Sequence, residues 1–430
     1  MHLCLFEDDG VPALRPLVDT RPAYALRLAM RTIAGTARDA FGQPSLVLHA
    51  RSHVAAKTAQ AYDVPVNDLP ENQGVLFVNG RYVAEESAAL RGIREAPGTN
   101  TARCFAKDDT VVAAWMPEVP AALARAIAAG ELLTRGHFEG SATEAVPNVS
   151  CLARPWSFFD ALRSALQRDY DARLGGTTLA PALQDRPGVT VHPSAVAVNP
   201  ERIYLAPEVT VQPGAVLNAS DGPIYIDEQA QVKAQAVVRG PAYVGPRSQV
   251  RIGANLEGVA LGTWCKVGGE VHDVIVQGFS NKVHDGFLGH AYLGRWCNLG
   301  AGTTNSNLRN DYGPVAMYHV AAGQYETTGR QFAGLIMGDH AKTAIGTTLN
   351  TGTVIGVSCN LFGAGLHRRY VPAFSWGGPQ HGYQSYRLDK ALSVAETVMG
   401  RRNRSFTETD RALLTRLHER TGAARQDVFT

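Results

Sequence analysis

Residues 268–313 read GGEVHDVIVQGFSNKVHDGFLGHAYLGRWCNLGAGTTNSNLRNDYG, and they decide how the rest of the chain is interpreted. An aliphatic residue followed by glycine recurs here at a step of six, at Leu293-Gly294 and again at Leu299-Gly300. A strand alternates every two residues and a helix repeats every 3.6 residues, so this step fits neither element. It is typical of a parallel β-helix, which forms one short strand per repeat and turns a corner at a small residue.

The same step continues on both sides of this stretch and predicts a β-helix over residues 186–378. We expect each aliphatic residue of the repeat to point inward and to pack between the coils above and below it. Burial of each such side chain contributes roughly 1.5–3 kcal/mol, so the stack is the main expected source of stability. The expected inward positions include Ile226, Val232, Val238, Val244, Leu261, Val267, Ile345, Thr351 and Val357.

Residues 1–185 alternate strand and helix patterns, and they predict an α/β domain with a mainly parallel sheet. HLCLF, SLVLH and GVLFV are apolar without polar alternation, which favours buried strands at residues 2–6, 45–49 and 74–78. Helices are predicted over residues 25–33, 53–62, 120–129 and 156–174. Residues 379–430 carry two amphipathic patterns and predict a short helical tail.

Charge and composition narrow the class of protein. The chain has 430 residues and 41 Lys+Arg against 39 Asp+Glu, a net charge of +2 that argues against a nucleic-acid partner. It has no run of 18 apolar residues and no signal-peptide pattern, so we expect no membrane span and a cytoplasmic location. Six cysteines are scattered without a CxxC pair, which predicts reduced core thiols rather than disulfides or a zinc site.

Residues 3–33, LCLFEDDGVPALRPLVDTRPAYALRLAMRTI, resemble the opening of sugar-nucleotide nucleotidyltransferases. In that family a Gly-rich loop admits the nucleotide phosphates and a basic residue neutralises their charge. The resemblance implies a Rossmann-like fold, nucleotide contacts from Gly10, Arg15 and Arg21, and Mg²⁺ if the domain is active. The chain departs from the family at Ala23, where a Lys is expected, and at Asn79-Gly80-Arg81, where a magnesium-binding Gly-Asp is expected.

A second resemblance lies in the coil. Glu270, His284 and Asn298 stand fourteen residues apart, Asn307 follows nine later, and Gly300-Ala301-Gly302-Thr303 follows Asn298 closely. This pattern resembles the acetyltransferase half of the bifunctional N-acetylglucosamine-1-phosphate uridylyltransferase/glucosamine-1-phosphate acetyltransferase family. NKVHDGFLGH and GLIMGDHAKTAIGTTLNTGT are similar to a branch of that family described as sugar nucleotidyltransferases. The resemblance implies left-handed coils, a homotrimer with sites between neighbouring subunits, and acetyl-CoA as cosubstrate.

The resemblance also implies roles for individual residues. An imidazole suits the removal of a proton from a sugar amine near neutral pH, and a carboxylate would fix its tautomer. Phe287 stands where the family has a Tyr, and His272 where it has a Lys. The implied catalytic residues are His284, Glu270 and Asn307, the implied substrate contacts are Asn298, Phe287, Lys282 and Arg309, and the implied acyl-CoA contacts are Ala301 and Gly302.

Three functions remain open from the sequence. The first is an acyltransferase that acts on an amino-sugar phosphate or nucleotide sugar and carries a nucleotidyltransferase-like domain. The second is an active sugar-1-phosphate nucleotidyltransferase that the β-helix trimerises, and the third is a non-catalytic scaffold that binds nucleotide sugars. His284 and His290 stand six apart with no third histidine in a matching position, so no metal site is predicted.

Overall fold

The computed structural model describes residues 2–174 and 188–429, which form two compact units. The first unit comprises Met1–Leu26, Arg31–Pro155 and Glu408–Arg416, and the second comprises Arg27–Met30, Trp156–Thr407 and Leu417–Thr430. The predicted boundary between residues 185 and 186 lies outside the described residues. The predicted division into residues 1–185, 186–378 and 379–430 stays a prediction.

The first unit is built on a six-stranded mixed sheet. Its first three strands in sequence are parallel, with His2–Phe6 between Ser45–Leu48 and Val75–Asn79. Thr110–Met116 runs antiparallel to both of its neighbours, Val75–Asn79 and Arg103–Lys107, while the other five strands share one direction, so the expected mainly parallel sheet is confirmed. In spatial order the strands are Ser45–Leu48, His2–Phe6, Val75–Asn79, Thr110–Met116, Arg103–Lys107 and Ala142–Ala145, and a separate pair joins Tyr82–Val83 to Ser150–Cys151.

Helices flank this sheet, and one predicted helix is wrong. Residues 25–33 do not form an α-helix; a 3₁₀ turn at Ala23–Ala25 precedes an irregular stretch. The helix begins at Ile33 instead, because the Thr32 side chain accepts a hydrogen bond from Gly35 N at 3.1 Å and caps it. The α-helices within residues 2–155 are Ile33–Ala40, Ser52–Tyr62, Ala88–Glu95 and Ala121–Ala129, with 3₁₀ turns at Val11–Leu14, Ala96–Gly98 and Arg135–Phe138. The predicted helix at residues 156–174 is present as Ser157–Leu174 and belongs to the second unit.

The second unit is a solenoid of short parallel strands. An eleven-stranded sheet forms one wall, in which ten parallel strands end in one antiparallel hairpin strand. In sequence order these strands are Thr190–Val191, Thr210–Val211, Gln231–Val232, Gln249–Val250, Lys266–Val267, Asn281–Lys282, Asn298–Leu299, Lys342–Thr343, Asn360–Leu361, Ser375–Gly378 and Gly382–Ser385.

A twelve-stranded sheet forms the remaining wall, and its longest strands lie side by side in the middle of the solenoid. Its strands are Val196–Val198, Ile203–Leu205, Val216–Asn218, Ile224–Ile226, Val237–Arg239, Ala242–Val244, Asn255–Leu261, Glu270–Gly278, Phe287–Arg295, Leu335–Met337, Thr353–Ile355 and Tyr370–Val371. A short pair, Thr304–Asn305 with Thr348–Leu349, and a 3₁₀ turn at Pro200–Arg202 complete the coils.

The predicted positions of the stack, Thr351 and Val357 in the last coils included, are buried everywhere except at Ile345. Val232, Val238 and Val244 are fully buried in one apolar cluster. Ile345, by contrast, is 83% exposed, because it lies at a corner beside Gly346, whose φ is +71°. In these coils the inward positions are Thr343, Leu349, Ile355 and Leu361, which keep the step of six in a different frame.

A segment leaves the coil after Asn305 and returns at Gly334. It contains the hairpin Ala316–His319/Gln324–Thr327, and a bridge between Leu308 and Phe332 closes its base. We call residues 306–333 the inserted segment. It interrupts the six-residue step at the point where the predicted frame fails.

Three helices form the C-terminal tail, at Leu388–Gly400, Glu408–Arg420 and Gly422–Phe429. Two of them were predicted, and the last was not. The predicted fold class is therefore confirmed as a Rossmann-like α/β domain, a parallel β-helix and a helical tail. All six cysteines are free. Within the described residues, no helix is long and apolar enough to cross a membrane.

Candidate functional site

His284 lies exposed at a corner of the solenoid. The corner Val283–Gly286 sits between two others that carry almost no side chain. Below it, a Cβ on Gly268 would come within 2.3 Å of the Val283 carbonyl oxygen. Above it, Gly302 N donates to the Asp285 carbonyl at 3.1 Å. Glycine is thus required at position 268 by the close approach of the corners and at position 302 by a φ of +71°, and the imidazole stands between surfaces with little bulk.

The predicted acyl-CoA contacts differ in what they can donate. Gly302 N is already used in the bond to Asp285 O. Ala301 N donates to none of the residues that the structure describes, and Ala301 is only half-buried. Of the two, Ala301 is therefore the available backbone donor one coil above His284. Asn298 is exposed in the same coil, where its strand pairs with that of Asn281.

Lys282 is not accessible to a substrate. Its side chain points into the coil and the residue is 2% exposed. The ammonium group donates to Gly268 O at 3.1 Å and to His284 O at 2.7 Å, and burial lowers its pKa to about 8. Lys282 thus ties the backbone of the His284 corner to the coil below, and the predicted substrate contact is not possible in this arrangement.

Glu270 lies one coil below His284, but its carboxylate contacts a different histidine. The strand register pairs Glu270 with Phe287, three residues beyond His284. Its Oε1 is 3.3 Å from Nε2 of His272, and Glu257 Oε2 is 3.7 Å from the other ring nitrogen. No hydrogen bond or ion pair joins Glu270 to His284 in the described chain. A role for Glu270 in orienting His284 stays a prediction.

A second histidine organises Asn307. The Asn307 amide nitrogen donates to Nδ1 of His290 at 3.0 Å, and Asp273 Oδ2 lies 3.9 Å from Nε2. Burial lowers the pKa of His290, which favours the neutral ring that accepts this bond. Asp273 in turn accepts from Arg163 Nε at 2.6 Å. The structure therefore brings Asn307 to His290 and not to His284.

His272 and His290 are the residues that the sequence-based assignment of roles did not include. His272 occupies a position where the family pattern has a Lys, and that departure was the available signal. Phe287 stacks on His272 with ring centroids 6.1 Å apart, and Phe332 of the inserted segment stacks on His290 at 5.3 Å. Arg309 lies apart from this group, in the inserted segment, where it is paired with Asp311.

In the first unit, the acidic loop is closed by buried ion pairs. Glu7 is fully buried, and its carboxylate accepts from Ala23 N, Arg51 N and Arg51 Nε, each at 3.0 Å. Arg51 also donates to the carbonyls of Val18 and Arg21. Glu7 and Arg51 thereby hold in place the loop that faces the nucleotide in the sugar-nucleotide nucleotidyltransferases.

Asp8 is held by Arg81 in the same way. Both are about 5% exposed, and Arg81 donates from Nε to Asp8 Oδ1 at 2.7 Å and from Nη2 to Asp8 Oδ2. Asn79 donates to the same carboxylate at 2.9 Å. A Cβ on Gly10 would lie 2.3 Å from Nη2 of Arg81, so the missing side chain of Gly10 makes room for that guanidinium.

These residues do not fit a magnesium site. The Asp8 carboxylate is already paired with a cation, and Arg81 occupies the position where the family pattern has a metal-binding Asp. No group of three His, Cys, Asp or Glu side chains within residues 2–174 and 188–429 could hold a metal ion. Of the other predicted nucleotide contacts, Arg15 is paired with Asp19 at 2.7 Å, and Arg21 is 8% exposed.

Comparisons with known proteins agree with both parts of this description. The family described as sugar nucleotidyl transferase matches residues 3–177. "Bifunctional protein GlmU" of Synechococcus elongatus is 29% identical over 182 residues, which cover 38% of this chain and 39% of that protein. A "Bifunctional sugar-1-phosphate nucleotidylyltransferase/acetyltransferase" of Sulfurisphaera tokodaii is 29% identical over 161 residues, 35% of this chain and 38% of that protein.

The matched regions thus span less than half the length of these curated relatives. A solved UDP-N-acetylglucosamine acyltransferase from Campylobacter jejuni is 12% identical, covers 52% of this chain and 94% of its own, and superposes with a TM-score of 0.29. The resemblance predicted from the sequence is confirmed: residues 3–177 match the sugar nucleotidyl transferase family, and the chain is similar to the bifunctional GlmU proteins.

Proposed function

We propose that this chain is a transferase of sugar-nucleotide metabolism whose solenoid moves an acyl group from acyl-CoA to an amino sugar carrying a phosphate or a nucleotide. The main support is the exposed imidazole of His284, on a corner bordered by glycine-rich corners above and below. Acetyl-CoA is the expected donor, since a relative that matches part of the chain is named an acetyltransferase. A cytoplasmic location stays a prediction.

His284 is proposed as the general base. The amine nitrogen of the sugar attacks the thioester carbonyl carbon while the imidazole takes the proton that this nitrogen loses. The C–N bond forms, the C–S bond breaks, and CoA leaves as the thiol after it recovers that proton. The Ala301 N–H is a candidate donor for the oxyanion, and Asn298 is a candidate contact to the sugar.

A second copy of the chain is proposed to cover the His284 corner. Ile252 and Ile345 are 65% and 83% exposed, and both lie on the column of corners that contains His284. Large aliphatic side chains flanking a polar group on one edge are typical of a surface that is buried in an assembly. The homotrimer implied by the resemblance would bury them and close a groove around the imidazole.

The first unit is proposed to bind a nucleotide sugar without nucleotidyl transfer. The supporting observation is the Asp8–Arg81 pair, which uses the carboxylate and the space that a metal-assisted reaction needs. Incubation of the full chain with nucleoside triphosphate, sugar 1-phosphate and Mg²⁺ should release no pyrophosphate. Pyrophosphate release would contradict this proposal if its rate is proportional to the chain's concentration and is lost on substitution of Arg15 or Arg21. The first unit would then be an active nucleotidyltransferase.

The acyltransferase is tested by CoA release from acetyl-CoA in the presence of a panel of amino-sugar phosphates and nucleotide sugars. His284→Ala should lower the rate by about 10²–10⁴, as expected for loss of a general base. The matched control is His381→Ala, which changes an exposed histidine in the turn of the final solenoid hairpin. Equal rates for H284A, H381A and the unchanged chain would remove His284 from the reaction.

A further inference from the structure

The inserted segment encloses a polar cavity against the coils. The cavity has a volume of about 430 Å³, within the ordinary range for small-molecule sites. Ser306 and Arg309 line it from the inserted segment, and Asn350, Thr351 and Arg369 line it from the coils. The strand pair Thr304–Asn305 with Thr348–Leu349 fixes the two sides in register where they diverge.

The lining carries one positive charge that no carboxylate offsets. Arg309 is neutralised by Asp311, whose carboxylate also accepts from Gly313 N. Arg369 makes no ion pair with any residue that the structure describes, and its guanidinium carbon lies 4.4 Å from the ring centroid of Tyr325. A planar cation stacked on an aromatic ring keeps its N–H edges available, and these edges match the oxygens of a carboxylate or phosphate.

Neutral polar groups lie opposite this charge. The Asn350 Oδ1 accepts from Thr351 N at 2.8 Å, while its amide nitrogen donates to no described residue. The Thr351 and Ser306 hydroxyls are 2.7 Å apart, and Ser306 donates to Leu308 O at 3.0 Å, so both oxygens retain acceptor capacity. Such a set suits the hydroxyl groups of a sugar rather than an apolar ligand.

The cavity is also built on fixed elements. The Arg369 carbonyl accepts from Val354 N at 2.7 Å, and Thr353 Oγ1 donates to Asn350 O at 2.7 Å. The inserted hairpin is held by Tyr318, which stacks on Tyr370 at 3.8 Å. A site whose groups are already in place loses little free energy to ordering when a ligand binds.

We propose that this cavity binds a phosphorylated or carboxylated sugar, with the anion on Arg369 and the hydroxyls on Asn350, Ser306 and Thr351. The proposal does not rest on acyl transfer at His284. Because the inserted segment and the coils both line the cavity, its occupant would contact Ser306 and Arg309 on one side and Asn350, Thr351 and Arg369 on the other.

The test is isothermal titration of the full chain with glucose 1-phosphate, glucose and inorganic phosphate. Glucose 1-phosphate should bind more tightly than either component. Arg369→Gln should weaken its binding at least tenfold, while Arg368→Gln, which changes the exposed neighbouring arginine, should leave it unchanged. Asn350→Ala should weaken glucose 1-phosphate but not inorganic phosphate, which separates the hydroxyl contacts from the anion contact.

Equal binding by R369Q and R368Q would overturn the proposal, as would a wild-type affinity for glucose 1-phosphate no higher than that for phosphate. Circular dichroism and thermal midpoints show whether each variant is folded. If R369Q is not folded, the binding of glucose 1-phosphate and phosphate by N350A decides the proposal. His284→Ala must retain binding here, so failure of the acyltransferase proposal and failure of this one are distinguishable.

Discussion

Lys282→Met is the most direct test of how the solenoid holds the His284 corner. Burial lowers the pKa of Lys282 from 10.5 to about 8, a difference of 2.5 units. At about 1.36 kcal/mol per unit, carrying this charge inside the folded chain costs roughly 3 kcal/mol at pH 7. Methionine removes that cost, but the carbonyls of Gly268 and His284 then lose a donor, at about 1–3 kcal/mol each.

The two effects partly offset each other at pH 7: a gain of roughly 3 kcal/mol against a total loss of about 2–6 kcal/mol places the change in the free energy of unfolding between about +1 and −3 kcal/mol. The pH dependence is more informative. Because the folded pKa lies below the unfolded one, the unfolded chain keeps the proton to higher pH. Stability attributable to Lys282 therefore rises between pH 8 and 10.5, with a slope of up to about 1.36 kcal/mol per pH unit. Lys282→Met should abolish that contribution.

The assay is urea unfolding of the second unit, monitored by tryptophan fluorescence at several pH values from 7 to 10. Lys342→Met should lose a similar slope, because burial lowers the pKa of Lys342 to about 8 as well. Lys390→Met, at an exposed lysine, should keep it. A wild-type slope in the Lys282→Met variant would refute the assignment of a buried, largely desolvated ammonium at this position.

Three further outcomes follow from the packing and the buried charges. Arg81→Ala should cost about 3–5 kcal/mol in urea unfolding, because the buried Asp8 carboxylate is left without a charged partner; a loss below about 1 kcal/mol would contradict the pair. At chain concentrations low enough to give the monomer, Leu361→Ala should cost about 2–5 kcal/mol, whereas Ile345→Ala should stay within about 0.5 kcal/mol, and equal losses there would restore the frame expected from the sequence. Burial lowers the pKa of His49 from 6.5 to about 4, so the unfolded chain binds the proton first and stability falls as the pH drops from 6.5 to 4. His49→Gln should flatten that part of the curve, and an unchanged curve would contradict the burial.

The repeat could be predicted from the sequence because each coil repeats one physical requirement, an inward aliphatic residue. Val232, Val238 and Val244 meet it and are fully buried. Ile345 was placed in the same series because a glycine follows it. Gly346 instead adopts a left-handed backbone conformation at a corner of the coil. The inserted segment precedes it in the chain and shifts the frame of the later coils. A six-residue repeat identifies a solenoid. Which residues point inward after an insertion depends on the lengths of the coils, and the repeat alone does not give those lengths.

The partners of the site residues could not be predicted in the same way. Spacing places Glu270 one coil below His284, and the structure agrees. The Glu270 carboxylate, however, contacts His272, which is two residues further along the same strand and therefore on the same face. Asn307 is likewise near the predicted region but bonded to His290, a contact across adjacent coils that no local motif encodes.

Two departures from the nucleotidyltransferase pattern, the acidic residue Asp8 and Arg81 in place of a metal-binding Asp, have one explanation in the strand order of the sheet. His2–Phe6 and Val75–Asn79 are adjacent parallel strands with Phe6 opposite Asn79, so the residues that follow them meet at one edge. An acidic residue after the first strand therefore faces the residue that replaced the metal-binding carboxylate, and Asp8 pairs with Arg81. Each charge alone would be costly to bury, and together they are compensated. Replacing Arg81 with Asp would set two carboxylates side by side in a space shaped for a guanidinium, so the substitution alone should destabilise the first unit rather than recreate a working metal site.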